Sequence, residues 1–393
     1  MKLHLAANYD SRLVDELEET SVASVYGKMQ GDVVGGGRSS YMGQSLSWTE
    51  LADYIARLKK KGIEFTYLLN SSCLGNREWT RSAQKKIRKL LDRIVEAGAG
   101  GVTVSTPYLL RLIKERHPDL QVTVGIYAQV DTLKRVRFWE SLGADAITLE
   151  SFSINRNFNT LRKIRAGAEA ELILIANHIC LPNCGLQPYH QNCFAHSSDN
   201  SGNFFIDYSY LKCNRRRFAN PELFISSSWI RPEDIENYED MGFETFKLLE
   251  RDLPTSLLLK RVQAYEEGEF NGNLAELFLS HSFGRQKDGL SFWHYLFNLF
   301  SVPLKSLLRA DKFMKNQGLL HELDKCPVEI DSEKIPADFL AHFKDRDCLN
   351  SECDRCGYCR EIANEAVTIT DPEAAGKYAD LLADLENGDF WRG

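Results

Sequence analysis

The chain has 393 residues, 43% of them hydrophobic, and its formal net charge is −7 at pH 7. The length suffices for one large domain and a smaller one, and the negative charge argues against a broad electrostatic interaction with nucleic acid. The chain starts with MKLHLAANYD, which lacks a signal-peptide core, and no charge-free apolar run is long enough to cross a membrane. The sequence therefore predicts a cytoplasmic protein without a membrane span.

Strand and helix signals alternate through the first two thirds of the chain. A helix-terminating glycine, a short link and a β-rich run recur at Gly98, Gly143 and Gly242, which is the pattern of repeated βα units. Helices are predicted over 48–60 and 81–97. Strands are predicted near residues 3, 25, 65, 102, 122, 146, 172, 225 and 245, one of them as a lid or an edge element.

About eight parallel strands with intervening helices predict an α/β fold, a (β/α)8 TIM-barrel-like domain over residues 1–265. An open, doubly wound sheet is the alternative. The barrel is favoured because the units recur without a break and because the chain lacks the G-x-G-x-x-G turn. A small, mostly helical, cysteine-rich C-terminal domain is expected over 266–393. Its apolar, aromatic stretch 274–308 is interpreted as a packed core helix, with a partner or membrane-surface helix as the alternative.

Polar side chains stand at the ends of several predicted strands, where the loops of a barrel form a binding pocket. The run Gly35–Gly37 predicts a flexible loop, with contact between Arg38 and an anionic substrate as the alternative. The candidate substrate-binding residues are Arg38, Tyr127, Glu150 and Asn177. No motif identifies a catalytic residue, and the candidates for that role are Arg38, His178 and His190.

Eight of the ten cysteines fall into two groups of four, which favours metal binding over scattered buried thiols or structural disulfides. The first group lies in a loop, 177–213, that follows a buried strand: Cys180, Cys184, Cys193 and Cys213, spaced C-x3-C-x8-C-x19-C. An iron–sulfur cluster is predicted here, at the barrel mouth. Basic residues beside the last cysteine are expected to offset the thiolate charge: Lys212, Arg215, Arg216 and Arg217.

The second group lies in the C-terminal domain, over 348–359: Cys348, Cys353, Cys356 and Cys359, spaced C-x4-C-x2-C-x2-C. The C-x2-C-x2-C core is the tight arrangement with which one loop holds a 4Fe-4S cluster. Structural zinc more often uses two distant C-x2-C pairs, but four cysteines in so short a segment can also hold zinc. The sequence thus predicts one or two 4Fe-4S clusters, with zinc or no metal as the alternatives at the second group.

An early Tyr26-Gly27 segment, Gly37-Arg38 and a cysteine-rich loop after a late strand resemble the peptidase U-32 family, whose members are often labelled collagenase-like proteases. The likeness covers residues 1–265. The family usually has a C-x6-C spacing, whereas this chain has Cys180-x3-Cys184, so it is similar to a divergent branch.

The resemblance implies an iron–sulfur protein, since family members act in oxygen-independent hydroxylation of the ubiquinone ring or of RNA bases. Its implied partners are a small-molecule or RNA substrate, an electron-donor protein and a paired family member. Three functions therefore compete: a redox enzyme, a peptidase with structural metal, and a non-catalytic accessory protein. The sequence favours the redox enzyme, because it has neither a G-x-S-x-G elbow nor an H-E-x-x-H helix.

Overall fold

A computed structural model describes residues 1–37, 46–199, 207–251, 253–279, 326–344 and 346–388. Its central feature is a closed barrel of eight parallel strands, in which each strand pairs with the next and β8 pairs with β1. The strands are β1 (Lys2–Ala6), β2 (Val22–Gly27), β3 (Glu64–Leu69), β4 (Gly101–Val104), β5 (Gln121–Val124), β6 (Ala146–Thr148), β7 (Glu171–Ile175) and β8 (Thr245–Leu248). The predicted TIM-barrel-like fold is confirmed, and the doubly wound sheet is excluded.

Helices surround the barrel. Those of the barrel region are α1 (Ser11–Glu16), α2 (Trp48–Lys60), α3 (Arg81–Glu96), α4 (Pro107–Arg116), α5 (Leu133–Ser141), α6 (Phe158–Gly167), α7 (Gln187–Ser197), α8 (Tyr208–Ala219), α9 (Glu222–Ser226), α10 (Glu236–Glu239) and α11 (Thr255–Glu267). The two helices predicted over 48–60 and 81–97 are thus confirmed. Helices α7 to α10 lie between β7 and β8, and the cysteine-rich loop, 177–213, includes α7 and the first half of α8.

Helix α3 illustrates how the sequence determines these elements. The Thr80 hydroxyl accepts a hydrogen bond from the Ala83 N–H and caps the helix start. At the other end Gly98 has a φ of +90°, a conformation that ends a helix and that glycine adopts without strain. Apolar residues at helical spacing face the barrel and are buried: Ile87, Leu90, Leu91 and Ile94.

The prediction of a strand near residue 225 is wrong. Residues Glu222–Ser226 form the short helix α9, and the chain then turns so that Trp229 is fully buried. The Trp229 indole N–H donates to the Phe224 carbonyl at 2.7 Å, and the Ile230 N–H donates to the Ala176 carbonyl at 2.7 Å. The apolar residues of this stretch are therefore buried by packing against the end of β7, not by strand pairing.

The glycine-rich loop after β2 is closely packed in its described part. An alanine Cβ at Gly36, whose φ is +102°, would lie 2.5 Å from the Ser71 backbone nitrogen. The Asp32 carboxylate accepts hydrogen bonds from the Val34 and Gly35 N–H groups at 2.9 and 2.7 Å. These contacts argue against the predicted flexibility for residues up to Gly37. Arg38, predicted to bind substrate, lies outside the described residues.

The C-terminal segment contains α12 (Ala275–Phe278), α13 (Ala341–Lys344), α14 (Cys353–Cys356), α15 (Tyr358–Ala366) and α16 (Pro372–Glu386). It also forms a small antiparallel sheet of β9 (Val328–Ile330) and β10 (Val367–Ile369). The predicted helical, cysteine-rich C-terminal region is confirmed. Most of the aromatic stretch 274–308 lies outside the described residues. Across the described ranges, no helix is both long enough and apolar enough to cross a membrane.

Candidate substrate and metal site at the barrel mouth

A cavity of about 230 Å³ opens at the carboxyl ends of the barrel strands. Along β4, Val102 and Val104 are buried on the helix side, whereas Thr103 between them lines the cavity. This alternation is the two-residue period of a strand, and it makes the upper barrel interior partly polar. Thr148 at the end of β6 and Asn70 just after β3 add to the same polar wall.

Two of these polar groups lack a hydrogen-bond partner within the described ranges. Thr148 is 1% exposed and its hydroxyl is unpaired, and the same is true of the side-chain oxygen of the buried Asn70. Unpaired buried polar atoms are costly, and in functional sites they are commonly satisfied by a ligand or by water. The cavity is therefore suited to a small molecule with hydrogen-bonding groups.

Lys247 of β8 also lines the cavity, and sequence reasoning missed it. Its Nζ lies 3.8 Å from the centroid of the Tyr26 ring, and it forms no ion pair with any residue in the described ranges. Burial, and to a smaller extent the charge of Arg251, lowers the pKa of Lys247 to about 7. An amine of this pKa can donate or accept a proton near neutral pH. The signal in the sequence was a lysine within an otherwise apolar strand, TFKL.

The opposite wall of the cavity is formed by cysteines of the predicted metal group. Cys180, Cys184 and Cys213 all line it, together with Arg217. Burial raises the pKa of Cys180 to about 12, and the Arg217 charge opposes that shift. The Arg217 guanidinium donates to the Cys213 sulfur at 3.6 Å. The fold thus brings Cys213, which is remote in sequence, to the other two thiols.

Cys193, the fourth predicted ligand, is placed differently. It lies on α7 and does not line the cavity. Burial raises the pKa of Cys193, and a hydrogen bond with the Tyr189 hydroxyl, one turn earlier, opposes that increase. Within the described parts of the chain, no three His, Cys, Asp or Glu side chains stand in the arrangement of a ready-made metal site. Three thiols nevertheless line a single cavity, and thiolates are the ligands that zinc, copper(I) and iron–sulfur clusters use in proteins.

Of the four basic residues expected to offset the thiolate charge, Arg217 alone contacts the Cys213 sulfur in the described part of the chain. Lys212 donates to the Glu386 carboxylate at 2.7 Å, and Arg215 lies 3.8 Å from the same carboxylate. Both therefore link α8 to the end of α16. Arg216 is exposed, so the charge compensation expected from four residues rests on one.

The two candidate histidines both line the cavity. The His178 Nδ1 shares a hydrogen bond of 2.5 Å with the Ser151 hydroxyl, and burial lowers the pKa of His178 to about 3. His178 is therefore neutral at physiological pH. The His190 Nε2 lies 2.9 Å from a carboxylate oxygen of the buried Asp207.

The predicted substrate-binding residues separate into two kinds. Tyr127 and Asn177 line the cavity, but both are already hydrogen-bonded. The Tyr127 hydroxyl donates to the Gly37 carbonyl at 3.1 Å, and the Asn177 amide donates to the Leu249 carbonyl at 2.6 Å. Glu150 is not in the cavity wall. Its carboxylate accepts from the Phe152 N–H at 2.7 Å and holds the turn after β6.

The second cysteine group lies in the C-terminal segment. Cys348, Cys353 and Cys356 are exposed, whereas Cys359 at the start of α15 is partly buried. Gly357, with a φ of +71°, separates α14 from α15 and turns the chain between Cys356 and Cys359. His342 of α13, which sequence reasoning did not single out, places its Nε2 3.4 Å from the Cys356 sulfur.

Comparisons with known proteins identify the family of the chain. The profile of Peptidase family U32 matches residues 33–265. A protein of Methanocaldococcus jannaschii described as an uncharacterized protease is 32% identical over 338 residues, which cover 86% of this chain and 87% of the relative.

Among solved structures, a U32 peptidase is 21% identical and covers 65% of this chain and 95% of its own, with a TM-score of 0.48. A D-psicose 3-epimerase solved in the presence of D-fructose is 12% identical, covering 51% of this chain and 82% of its own, with a TM-score of 0.32. The family profile spans more than half of the chain, and the archaeal relative spans most of it. The chain belongs to peptidase family U32.

Proposed function

We propose that this chain is an iron–sulfur redox enzyme that modifies a substrate in the barrel-mouth cavity without using molecular oxygen. The substrate is a small molecule or a single base of an RNA. One observation carries the proposal. Three cysteines line a cavity that is also lined by buried, unpaired polar groups at the strand ends. Thiols that served only as a structural clamp would not need to share a cavity with such groups.

The barrel group would hold a cluster with Cys180, Cys184 and Cys213, and with Cys193 after a local rearrangement of α7. When bound, the cluster supplies one-electron transfer at the cavity wall. Arg217 is suited to offset the negative charge of the thiolates, because its guanidinium already contacts Cys213. The C-terminal cysteines would hold a second centre that receives electrons from a donor protein.

The rest of the cavity would bind and orient the substrate. The hydroxyl of Thr148 and the side-chain oxygen of Asn70 offer hydrogen bonds that no described residue takes up. Lys247 would exchange a proton with the substrate, since its pKa of about 7 allows both protonation states. A volume of about 230 Å³ admits one ring with a few substituents, so an RNA substrate would have to insert a single unstacked base.

A peptidase is the second candidate, because the family and the archaeal relative carry that name. Ser151 and His178 are hydrogen-bonded, as a nucleophile and its base would be. However, the Ser151 side chain is 1% exposed and does not line the cavity. A substrate carbonyl bound in the cavity would not reach it without a rearrangement of the turn after β6.

The test is anaerobic purification followed by iron and sulfide quantification, with Cys193→Ala compared with Cys326→Ala. Cys326 belongs to neither cysteine group, so its replacement controls for the loss of a thiol. We expect iron and sulfide in the wild-type chain, less iron in Cys193→Ala, and no change in Cys326→Ala. A wild-type chain without iron, or with zinc alone, contradicts the proposal. Hydrolysis of casein or gelatin that persists after iron removal would favour the peptidase.

A further inference from the structure

A stack of aromatic rings connects the barrel with the C-terminal cysteine group. The Trp229 ring lies parallel to Phe278 and Phe339, with centroid distances of 4.6 and 5.4 Å. Phe339 in turn stacks on Tyr358 at 6.0 Å. Since Tyr358 directly precedes Cys359, the stack ends at the second cysteine group.

A buried cation lies within this stack. The Arg156 guanidinium is 4.5 Å from the centroid of Trp229 and 4.8 Å from that of Phe339. It donates to the Ile225 and Trp229 carbonyls at 2.7 and 3.1 Å. Arg156 is 6% exposed, its Nε has no hydrogen-bond partner, and no carboxylate in the described residues pairs with it.

A buried guanidinium without a counter-ion is costly, and cation–π contacts recover only part of that cost. When ionised, Cys359 would interact with Arg156 more favourably than Tyr238 or Asp234 would. Four metal-bound thiolates carry a net negative charge with either iron–sulfur or zinc. Such a centre is the counter-ion that Arg156 otherwise lacks.

A second contact reaches the same group from the surface. The His342 ring stacks on Tyr358 with a centroid distance of 3.8 Å and an interplanar angle of 5°. The Tyr358 hydroxyl donates to the Phe339 carbonyl at 3.0 Å and fixes its ring. His342 is thereby held with Nε2 3.4 Å from the Cys356 sulfur, which is hydrogen-bond distance for an N–H donor to sulfur.

We propose that Arg156 and His342 raise the reduction potential of a cluster bound by Cys348, Cys353, Cys356 and Cys359, and so make it an electron-accepting centre. The inference rests on the proposed function, because it assumes iron at this group. Net charge and hydrogen bonds to the sulfurs are two factors that set such potentials. Both residues stabilise the reduced form, which carries one more negative charge.

The transfer itself makes and breaks no covalent bond. A one-electron donor protein is oxidised by one electron, and the thiolate-bound iron is reduced by one. Three of the four cysteines are exposed, so a donor protein can approach the group closely. A structural centre would need neither this exposure nor the nearby Arg156 and His342.

The test uses the full-length chain with Cys180→Ser and Cys213→Ser, so that only the C-terminal centre contributes to the paramagnetic resonance signal. Into this background we introduce His342→Ala or Arg156→Gln, and titrate with dithionite while measuring iron per chain. His117→Ala is the control, because that histidine contacts Asp92 on α3. We expect unchanged iron and an equilibrium constant for reduction about tenfold lower in each variant, or about 59 mV more negative.

Unchanged potentials in both variants, with iron present, would overturn this inference and leave the proposed function standing. Loss of iron in His342→Ala would also overturn it, since His342 would then be a ligand. A wild-type chain without iron overturns the proposed function itself. Thermal unfolding shows whether Arg156→Gln is folded; if it is not, His342→Ala alone decides the matter, and an unchanged potential there overturns the proposal.

Discussion

The two cysteine groups differ in how they are assembled and in what surrounds them. At the barrel mouth, Cys180 and Cys213 are 33 positions apart and meet only because α7 and α8 fold over the barrel. In the C-terminal segment, four cysteines lie within residues 348–359, and one left-handed glycine provides the turn between them. Three cysteines of the first group line a cavity, whereas three of the second group are exposed to solvent.

This difference separates the chemistry of the two groups. Thiols that line a cavity can act on a bound molecule, whereas exposed thiols are accessible to another protein. The counter-charges differ in the same way. Arg217 contacts a sulfur directly at the barrel mouth, while Arg156 is held within aromatic rings behind the C-terminal group. The comparison therefore predicts that the two groups respond independently to substitution.

The largest effect is expected from removal of a barrel-mouth cysteine. Cys213→Ser should abolish the proposed redox activity and remove the iron proposed for the barrel group, because serine is a poor ligand for iron–sulfur clusters. Cys356→Ser should remove only the iron of the C-terminal group. Iron and sulfide per chain, with paramagnetic resonance after dithionite, measure both losses. If either variant retains all the iron of the wild type, the assignment of that group is wrong.

A substitution at Gly36 should weaken the barrel mouth and leave the C-terminal group intact. Gly36→Ala adds a Cβ 2.5 Å from the Ser71 backbone nitrogen at a φ of +102°. We expect a loss of about 3 kcal/mol in the free energy of unfolding. Gly62→Ala is the matched control, because its φ of +74° carries strain but no atom lies within 4 Å of the new Cβ.

The control should lose about 1 kcal/mol in urea unfolding. Equal losses in the two variants would mean that the loop yields easily, contrary to the packing of Gly36. The iron of the C-terminal group should be unchanged in both.

Lys247 should make stability depend on pH. Its folded pKa of about 7 lies below the unfolded value of about 10.4, so between these values the unfolded chain binds more protons. Stability should therefore rise with pH in that window, by up to about 1.4 kcal/mol per unit. Lys247→Met should lack this slope, and its advantage over the wild type should be largest at pH 7 and shrink toward pH 10.

Urea unfolding at pH 7, 8 and 9 measures the difference. Lys134→Met, at an exposed position on α5, is the control. Parallel pH dependences for the wild type and Lys247→Met would show that Lys247 has the pKa of an ordinary lysine. Lys247 would then be excluded as a proton-transfer group.

The smallest effect is expected at the surface contact between α8, beside the barrel mouth, and α16 of the C-terminal segment. The Glu386 carboxylate accepts from Lys212 at 2.7 Å and from the Tyr208 hydroxyl at 2.9 Å, and a third of its side chain is exposed. Glu386→Gln should cost about 0.5 kcal/mol, less at high salt, because exposed ion pairs contribute little. A loss above about 2 kcal/mol in urea unfolding would show that Glu386 contributes more to stability than an exposed ion pair does.

The sequence was sufficient for the barrel because its signals are local. Helix-ending glycines such as Gly98 and buried β-rich runs repeat with a regular order, and these alone predict a parallel barrel. The strand predicted around Phe224 was wrong because it, too, rested on a local signal. Its residues have β-rich composition, but a buried helix turn and a buried strand look alike in so short an apolar run.

The sequence by itself determined the fold class, the family resemblance and the presence of two cysteine groups, since these depend on composition and on spacing along the chain. Only the tertiary structure decided which groups meet. It placed Lys247 and Arg217 in the cavity, turned Lys212 toward Glu386, and directed Glu150 to a turn. It also brought His342 to Cys356 and Arg156 into the aromatic stack. Apart from the local turn at Glu150, these contacts depend on residues remote in the chain, and spacing along the sequence carries no information about them.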